Sequence, residues 1–183
     1  MPRSSAATAD TVQVRAPDAP RHSAPITLTS TTFEPGGTLP DSMAADQCGG
    51  ENRSPALSWS DFPSETRSFA LTIFDPHAPT GSGFWHWVVF DLPASVTRLD
   101  AGVGSSASPG GGRTGHNDYG QSRYGGPCPP PGDGPHDYVF TVYALDLAKV
   151  DGAGPETTGA KLNFLMRGHV LAKGVVQGKY ERR

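Results

Sequence analysis

Asp75, His86 and His136 each stand beside a proline- or glycine-shaped turn, at the end of an apolar, strand-like run. A carboxylate can accept an imidazole N–H, fix the tautomer of the ring and raise its pKa, which leaves the second ring nitrogen to donate to an oxyanion. Backbone N–H groups of Tyr124-Gly125-Gly126 can add neutral donors, and Tyr138, on the same strand face as His136, can add a hydroxyl. Such a group suits a small anion, a phosphate or a carboxylate.

Each residue also has a plainer reading. Asp75 precedes Pro76, where an aspartate commonly caps a turn. His86, between Trp85 and Trp87, fits a core histidine satisfied by one hydrogen bond, and His136 fits a strand-entry residue. A metal site could draw on Asp75, His77, His86 and His136, but these lack the close spacing of zinc motifs. An Asp/His hydrolase of a small ester or phosphoester is the competing function. No Gly-x-Ser-x-Gly elbow accompanies those residues, and Cys128 lies among prolines rather than at a helix start. No glycine-rich phosphate loop of nucleotide-binding type is present either. Binding is therefore expected rather than catalysis, with no metal and no cofactor.

Strands must position these groups. In 69–75, Phe69, Leu71, Ile73 and Asp75 share one face, with Ala70, Thr72 and Phe74 opposite. In 84–90, alternation puts Phe84, His86, Val88 and Phe90 on one face and Trp85, Trp87 and Val89 on the other, so this strand is expected to be central. In 136–145, His136, Tyr138, Phe140, Val142 and Ala144 face one way and Asp137, Val139, Thr141, Tyr143 and Leu145 the other. Shorter strands are expected from Ile26 and over 54–59, and a long surface loop over 101–116. Thr157-Thr158-Gly159 opens a helix whose spacing, through Leu162, Leu165 and Met166, continues to Val170 and Leu171; the run from Val175 to Tyr180 reads as a strand.

Composition agrees with a mainly β domain. The 183 residues include 23 glycines and 18 prolines, which favour turns and short strands over long helices. A net charge of -3 argues against a nucleic-acid footprint or a membrane surface, and no stretch is apolar enough for stable membrane insertion. Residues 1–24, without periodicity, are expected to form a disordered leader before a single domain over 25–183. They carry no hydrophobic signal core, so the expected location is cytoplasmic. There Cys48 and Cys128 read as reduced thiols, with a bridge between them left open.

Four stretches carry a family resemblance: 54–59 (SPALSW), 75–79 (DPHAP) with His86-Trp87 following, 124–130 (YGGPCPP), and His136-Asp137-Tyr138 leading to Tyr143-Ala144-Leu145-Asp146. Over about 25–181 the chain resembles the phosphatidylethanolamine-binding proteins, also called Raf kinase inhibitor proteins, and especially their bacterial branch. The resemblance implies two antiparallel sheets with short C-terminal helical segments, and a pocket for phosphate or a phospholipid headgroup. It also implies a kinase or protease inhibitor or regulator rather than an enzyme, and its bacterial branch implies a homodimer. Carried over by position, the ligand-binding residues are Asp75, His77, His86, Gly126, His136 and Tyr138. Two residues depart from the family pattern. His77 replaces the second aspartate of its Asp-Pro-Asp-Ala-Pro motif, and Asp137 replaces the arginine of its His-Arg-Tyr motif.

Overall fold

The computed structural model describes residues 19–22 and 24–183. Among these residues, eight strands and one α-helix follow in the order β1 (Thr27–Thr29), β2 (Leu57–Ser60), β3 (Ser68–Asp75), β4 (Phe84–Pro93), β5 (Arg98–Leu99), β6 (Arg113–Thr114), β7 (His136–Leu145), α1 (Gly159–Leu165) and β8 (Val170–Tyr180). Two antiparallel sheets result, ordered β1-β2-β5 and β6-β4-β3-β7-β8. The expected mainly β architecture is the one observed, with β4 internal to its sheet.

The alternating strands separate two apolar clusters. Phe69, Leu71, Ile73, Phe140 and Val142 join Leu57, Trp59 and Leu99 in the core between the sheets. Ala70, Val88, Phe90 and Leu145 cover the opposite face of the larger sheet, against Leu162 and Met166 of the α1 segment. Thr158 caps α1, its side chain accepting from Lys161 N at 3.2 Å. Gly159 admits the helix to the sheet, since a Cβ there would stand 2.1 Å from Trp85.

The helix is shorter than its spacing suggests. Gly168 at φ 77° turns the chain, and Val170 and Leu171 belong to β8 rather than to α1. The expected loop over 101–116 is broken by 3₁₀ turns at 103–105 and 109–111 and by β6. Residues 1–18 and 23 of the expected leader lie outside the described residues. Arg21 N and His22 N donate to Val170 O and Leu171 O, and Ile26, Gly36 and Leu39 continue these bonds along β8. The exposed edge of the larger sheet is thus covered by the chain's own N-terminal region.

One irregularity decides what faces what. In the β3–β4 ladder Ile73 pairs with Trp87, but Phe74 pairs with Trp85, so His86 is the extra residue of a β-bulge. Trp87 accordingly enters the core between the sheets, whereas Trp85 packs toward the opposite cluster. Strict alternation would have left His86 with Val88 and Phe90, away from Asp75 and Tyr138. The bulge brings it to their side.

Candidate functional site

Asp75, His86, His136 and Tyr138 all line one cavity of about 200 Å3, with Phe84, Tyr119 and Cys128 among the other lining residues. Three adjacent strands supply the set: β3 ends in Asp75, β4 brings Phe84 and the bulged His86, and β7 begins with His136 and Tyr138. All four are buried. A larger depression of about 830 Å3 lies beside the C-terminus and holds none of them.

Both readings of Asp75 hold at once. Its Oδ1 accepts from His77 N at 2.8 Å and Ala78 N at 3.1 Å, the turn-capping role. Its Oδ2 accepts from His136 Nδ1 at 2.7 Å. This orients the His136 ring, and His136 Nε2 lies 3.7 Å from Asp133 Oδ2, beyond hydrogen-bond reach.

His86 has a different partner. Its Nδ1 donates to Gly125 O at 2.8 Å. Burial pushes its pKa down to about 4, against the opposing pull of the Gly125 carbonyl and the Asp75 charge. The ring packs edge-on against Tyr138 (centroids 5.1 Å apart) and Tyr119 (5.8 Å) and lies 4.9 Å from Phe84. Burial likewise raises the Tyr138 phenol well above its ordinary value and that of Tyr119 to about 12, so both hydroxyls keep their protons. Tyr119 OH donates to Gly126 O at 2.9 Å. Tyr138 OH is buried without a hydrogen-bond partner. A buried hydroxyl usually has a partner, and the residue that carries this one lines the cavity.

The glycine turn acts otherwise than its composition suggests. Tyr124 N donates to Gly104 O, Gly125 N to His86 O and Gly126 N to Asn52 Oδ1, so none of the three N–H groups is left for an anion. The turn contributes carbonyls instead, and Gly126 is not among the cavity's lining residues. Its glycine is needed for contact: a Cβ at Gly126 would stand 2.1 Å from Met43 O. Asn52, at φ 50°, pins the turn from both sides, accepting from Gly126 N and donating to Tyr124 O. Sequence reasoning missed Asn52, Phe84 and Tyr119. The Asn-Asp-Tyr-Gly turn signal at 117–120 was the available clue to Tyr119.

Cys48 and Cys128 are bridged, with Cα atoms 5.8 Å apart, which corrects the reading of two reduced thiols. The bridge ties the 3₁₀ turn at 46–48 to the cavity wall. Among the described residues no group of histidine, cysteine and acidic side chains is arranged to hold a metal.

The two-sheet, mainly β fold is that of a known class of binding proteins. A family model described as phosphatidylethanolamine-binding protein matches residues 29–181. The chain belongs to the phosphatidylethanolamine-binding protein family. It is 42% identical over 137 residues to the UPF0098 protein YbcL of Escherichia coli, covering 73% of this chain and 74% of that protein. To the UPF0098 protein YbhB of the same organism it is 40% identical over 157 residues, covering 84% and 98%. The crystal structure of YbcL superposes with a TM-score of 0.82 at 39% identity, covering 87% of this chain and 100% of that one. The Chlamydia trachomatis homologue CT736 gives 0.74 at 33%, covering 87% and 99%.

The two departures from the family motifs meet in space. His77 Nδ1 accepts from Asp137 N at 3.1 Å and lies 3.7 Å from Asp137 Oδ2, while Lys179 Nζ donates to Asp137 Oδ1 at 2.9 Å. That donation from Lys179 is the main reason the Asp137 carboxyl titrates below its ordinary range. At these two positions the resemblance implies an aspartate and an arginine. His77 is half-exposed, does not line the cavity, and its ring centroid is 6.1 Å from that of His136.

Proposed function

We propose that this protein is a binding module whose cavity takes a small anion, above all a phosphate group, free or as part of a larger ligand such as a phospholipid headgroup. The observation that carries this reading is the buried, unpartnered hydroxyl of Tyr138, a residue that lines the cavity together with Asp75, His86 and His136. The family likeness supports the same reading and extends it to control of a protein partner, a kinase or a protease. For the hydrolase alternative the cavity wall offers little as a nucleophile. Cys128 is bridged, Thr80 Oγ1 donates to Gly83 O, and the tyrosines hold their protons tightly.

The test is Tyr138→Phe, measured for phosphate affinity and for stability. A hydrogen bond to a charged ligand is worth about 1.5–3 kcal/mol, so phosphate should bind roughly 10- to 100-fold more weakly. Stability should hold or rise by about 1 kcal/mol, because the variant removes a buried hydroxyl that has no partner. Unchanged phosphate binding would sink the proposal. Turnover of a phosphomonoester by the native protein, abolished in His136→Gln, would move the assignment to the hydrolase.

A further inference from the structure

We infer that the cavity selects its ligand by a proton the ligand itself carries: it takes a phosphomonoester as the monoanion, whose P–OH donates to His86 Nε2. This rests on the proposed phosphate-binding role of the cavity and narrows it to phosphomonoesters, which makes a diester phospholipid headgroup, lacking a P–OH, the weaker ligand.

The argument begins with the tautomer. A carbonyl oxygen only accepts, so the 2.8 Å contact to Gly125 O places a proton on His86 Nδ1. A neutral imidazole carries one N–H, and Nε2, the nitrogen left for a ligand, is then a lone pair. Burial keeps the ring neutral through the physiological range. His86 therefore asks the ligand for a donor, while Tyr138 OH, its proton firmly held, offers one to the ligand. A monoprotonated phosphate presents both an O–H and bare oxygens. Sulfate and phosphodiesters present only oxygens.

Charge points the same way. The groups facing His86 are Asp75 from β3, His136 and Tyr138 from β7, and Asp118 and Tyr119 from the 117–120 turn. No lysine or arginine lines the cavity among the described residues. A dianion would enter beside the Asp75 carboxylate with no fixed cation to meet it, and a buried charge without a partner is costly. A monoanion halves that charge and supplies the missing proton.

The experiment is a ligand series on the intact chain, by calorimetry between pH 5 and 8: methyl phosphate, methylphosphonate, dimethyl phosphate, sulfate and glycerophosphoethanolamine. Methyl phosphate, which loses its second proton near pH 6, should bind about 50-fold more weakly at pH 8 than at pH 6. Methylphosphonate, which keeps that proton to higher pH, should show the same limb displaced upward by the difference in ligand pKa. Dimethyl phosphate and sulfate should bind at least tenfold more weakly than methyl phosphate at pH 6. Long-range 1H–15N spectra at pH 7 should show His86 protonated at Nδ1 and bare at Nε2.

One common midpoint for both titrating ligands would assign the pH dependence to a group of the protein, and overturn the inference. So would sulfate or dimethyl phosphate binding as well as methyl phosphate, with the phosphate-binding role left standing. Tighter binding of glycerophosphoethanolamine would give the donor role to an ammonium group and overturn the P–OH assignment. Failure of every ligand to bind would remove the phosphate-binding role itself, and this inference with it.

Discussion

His86 shows how one side chain can be legible by type and illegible by direction. Its place among aromatic residues marks it as notable, and its role depends on a partner, Gly125 O, that lies 39 positions away in the chain. Burial, which that contact only partly offsets, makes the ring a liability in acid. Above the ordinary value of 6.5 the ring is neutral in the folded and the unfolded chain alike, and it has no pH effect. Below it the unfolded chain takes up a proton that the folded chain refuses until about pH 4, so stability falls as pH falls through that window and the loss stops below it. At about 1.4 kcal/mol for each pH unit, the loss amounts to roughly 3 kcal/mol. Urea unfolding of the native protein and of His86→Gln between pH 7 and 4 should show their stabilities converging by that amount, since glutamine has no such proton. Parallel profiles would mean that the ring is not desolvated. Asp75, His136 and Tyr138 needed no such contact to be found: strand alternation put them on one face, and the structure keeps them there.

At the scale of elements, alternation is a reliable guide until a single extra residue interrupts it. Phe84-Trp85-His86-Trp87 is apolar or aromatic throughout, so no polar residue marks the side the strand turns to solvent, and no glycine marks the bulge. Helix and strand look alike after α1 for a similar reason, because Leu165, Met166, Val170 and Leu171 satisfy a helical period while Gly168 breaks the backbone. The 124–126 segment is legible as a turn but not as a non-donor, since only the folded chain shows Gly104, His86 and Asn52 already holding its N–H groups. Its function is to set the carbonyl that fixes His86. Gly126→Ala should therefore act on the cavity from outside it. The added methyl meets backbone at 2.1 Å, and overpacking of this kind costs about 1–3 kcal/mol. The variant should lower the melting temperature and change the His86 ring signals in NMR spectra. A variant with native stability and unchanged His86 signals would show that the turn has room to move and does not control the ring.

For the whole molecule, the order of the elements brings distant stretches of chain to one wall. β3, β4 and β7 are neighbours in the sheet, yet the cavity also needs the 127–130 segment, which belongs to no strand. Three prolines over 129–131 stiffen that segment, and the Cys48–Cys128 bridge, spanning 80 positions, holds it to the 41–50 region. The bridge was the least legible feature. Two cysteines in Gly/Pro-rich loops do not declare a pair, and only the folded chain places their Cα atoms 5.8 Å apart. A closed loop of this length is worth about 2–5 kcal/mol to a folded domain. Cys48→Ser/Cys128→Ser should therefore unfold at lower urea concentration by about that free energy and keep its sheets, because the ladder bonds of β3, β4, β7 and β8 do not pass through either cysteine. Phosphate affinity should fall as well, since Cys128, Pro129 and Pro130 form one wall of the cavity and would lose their anchor. Far-UV circular dichroism, urea titration and phosphate binding of the double variant separate these outcomes. Lost stability with native affinity would make the bridge a clamp on the fold alone, and native values for both would mean that the prolines hold the wall without it.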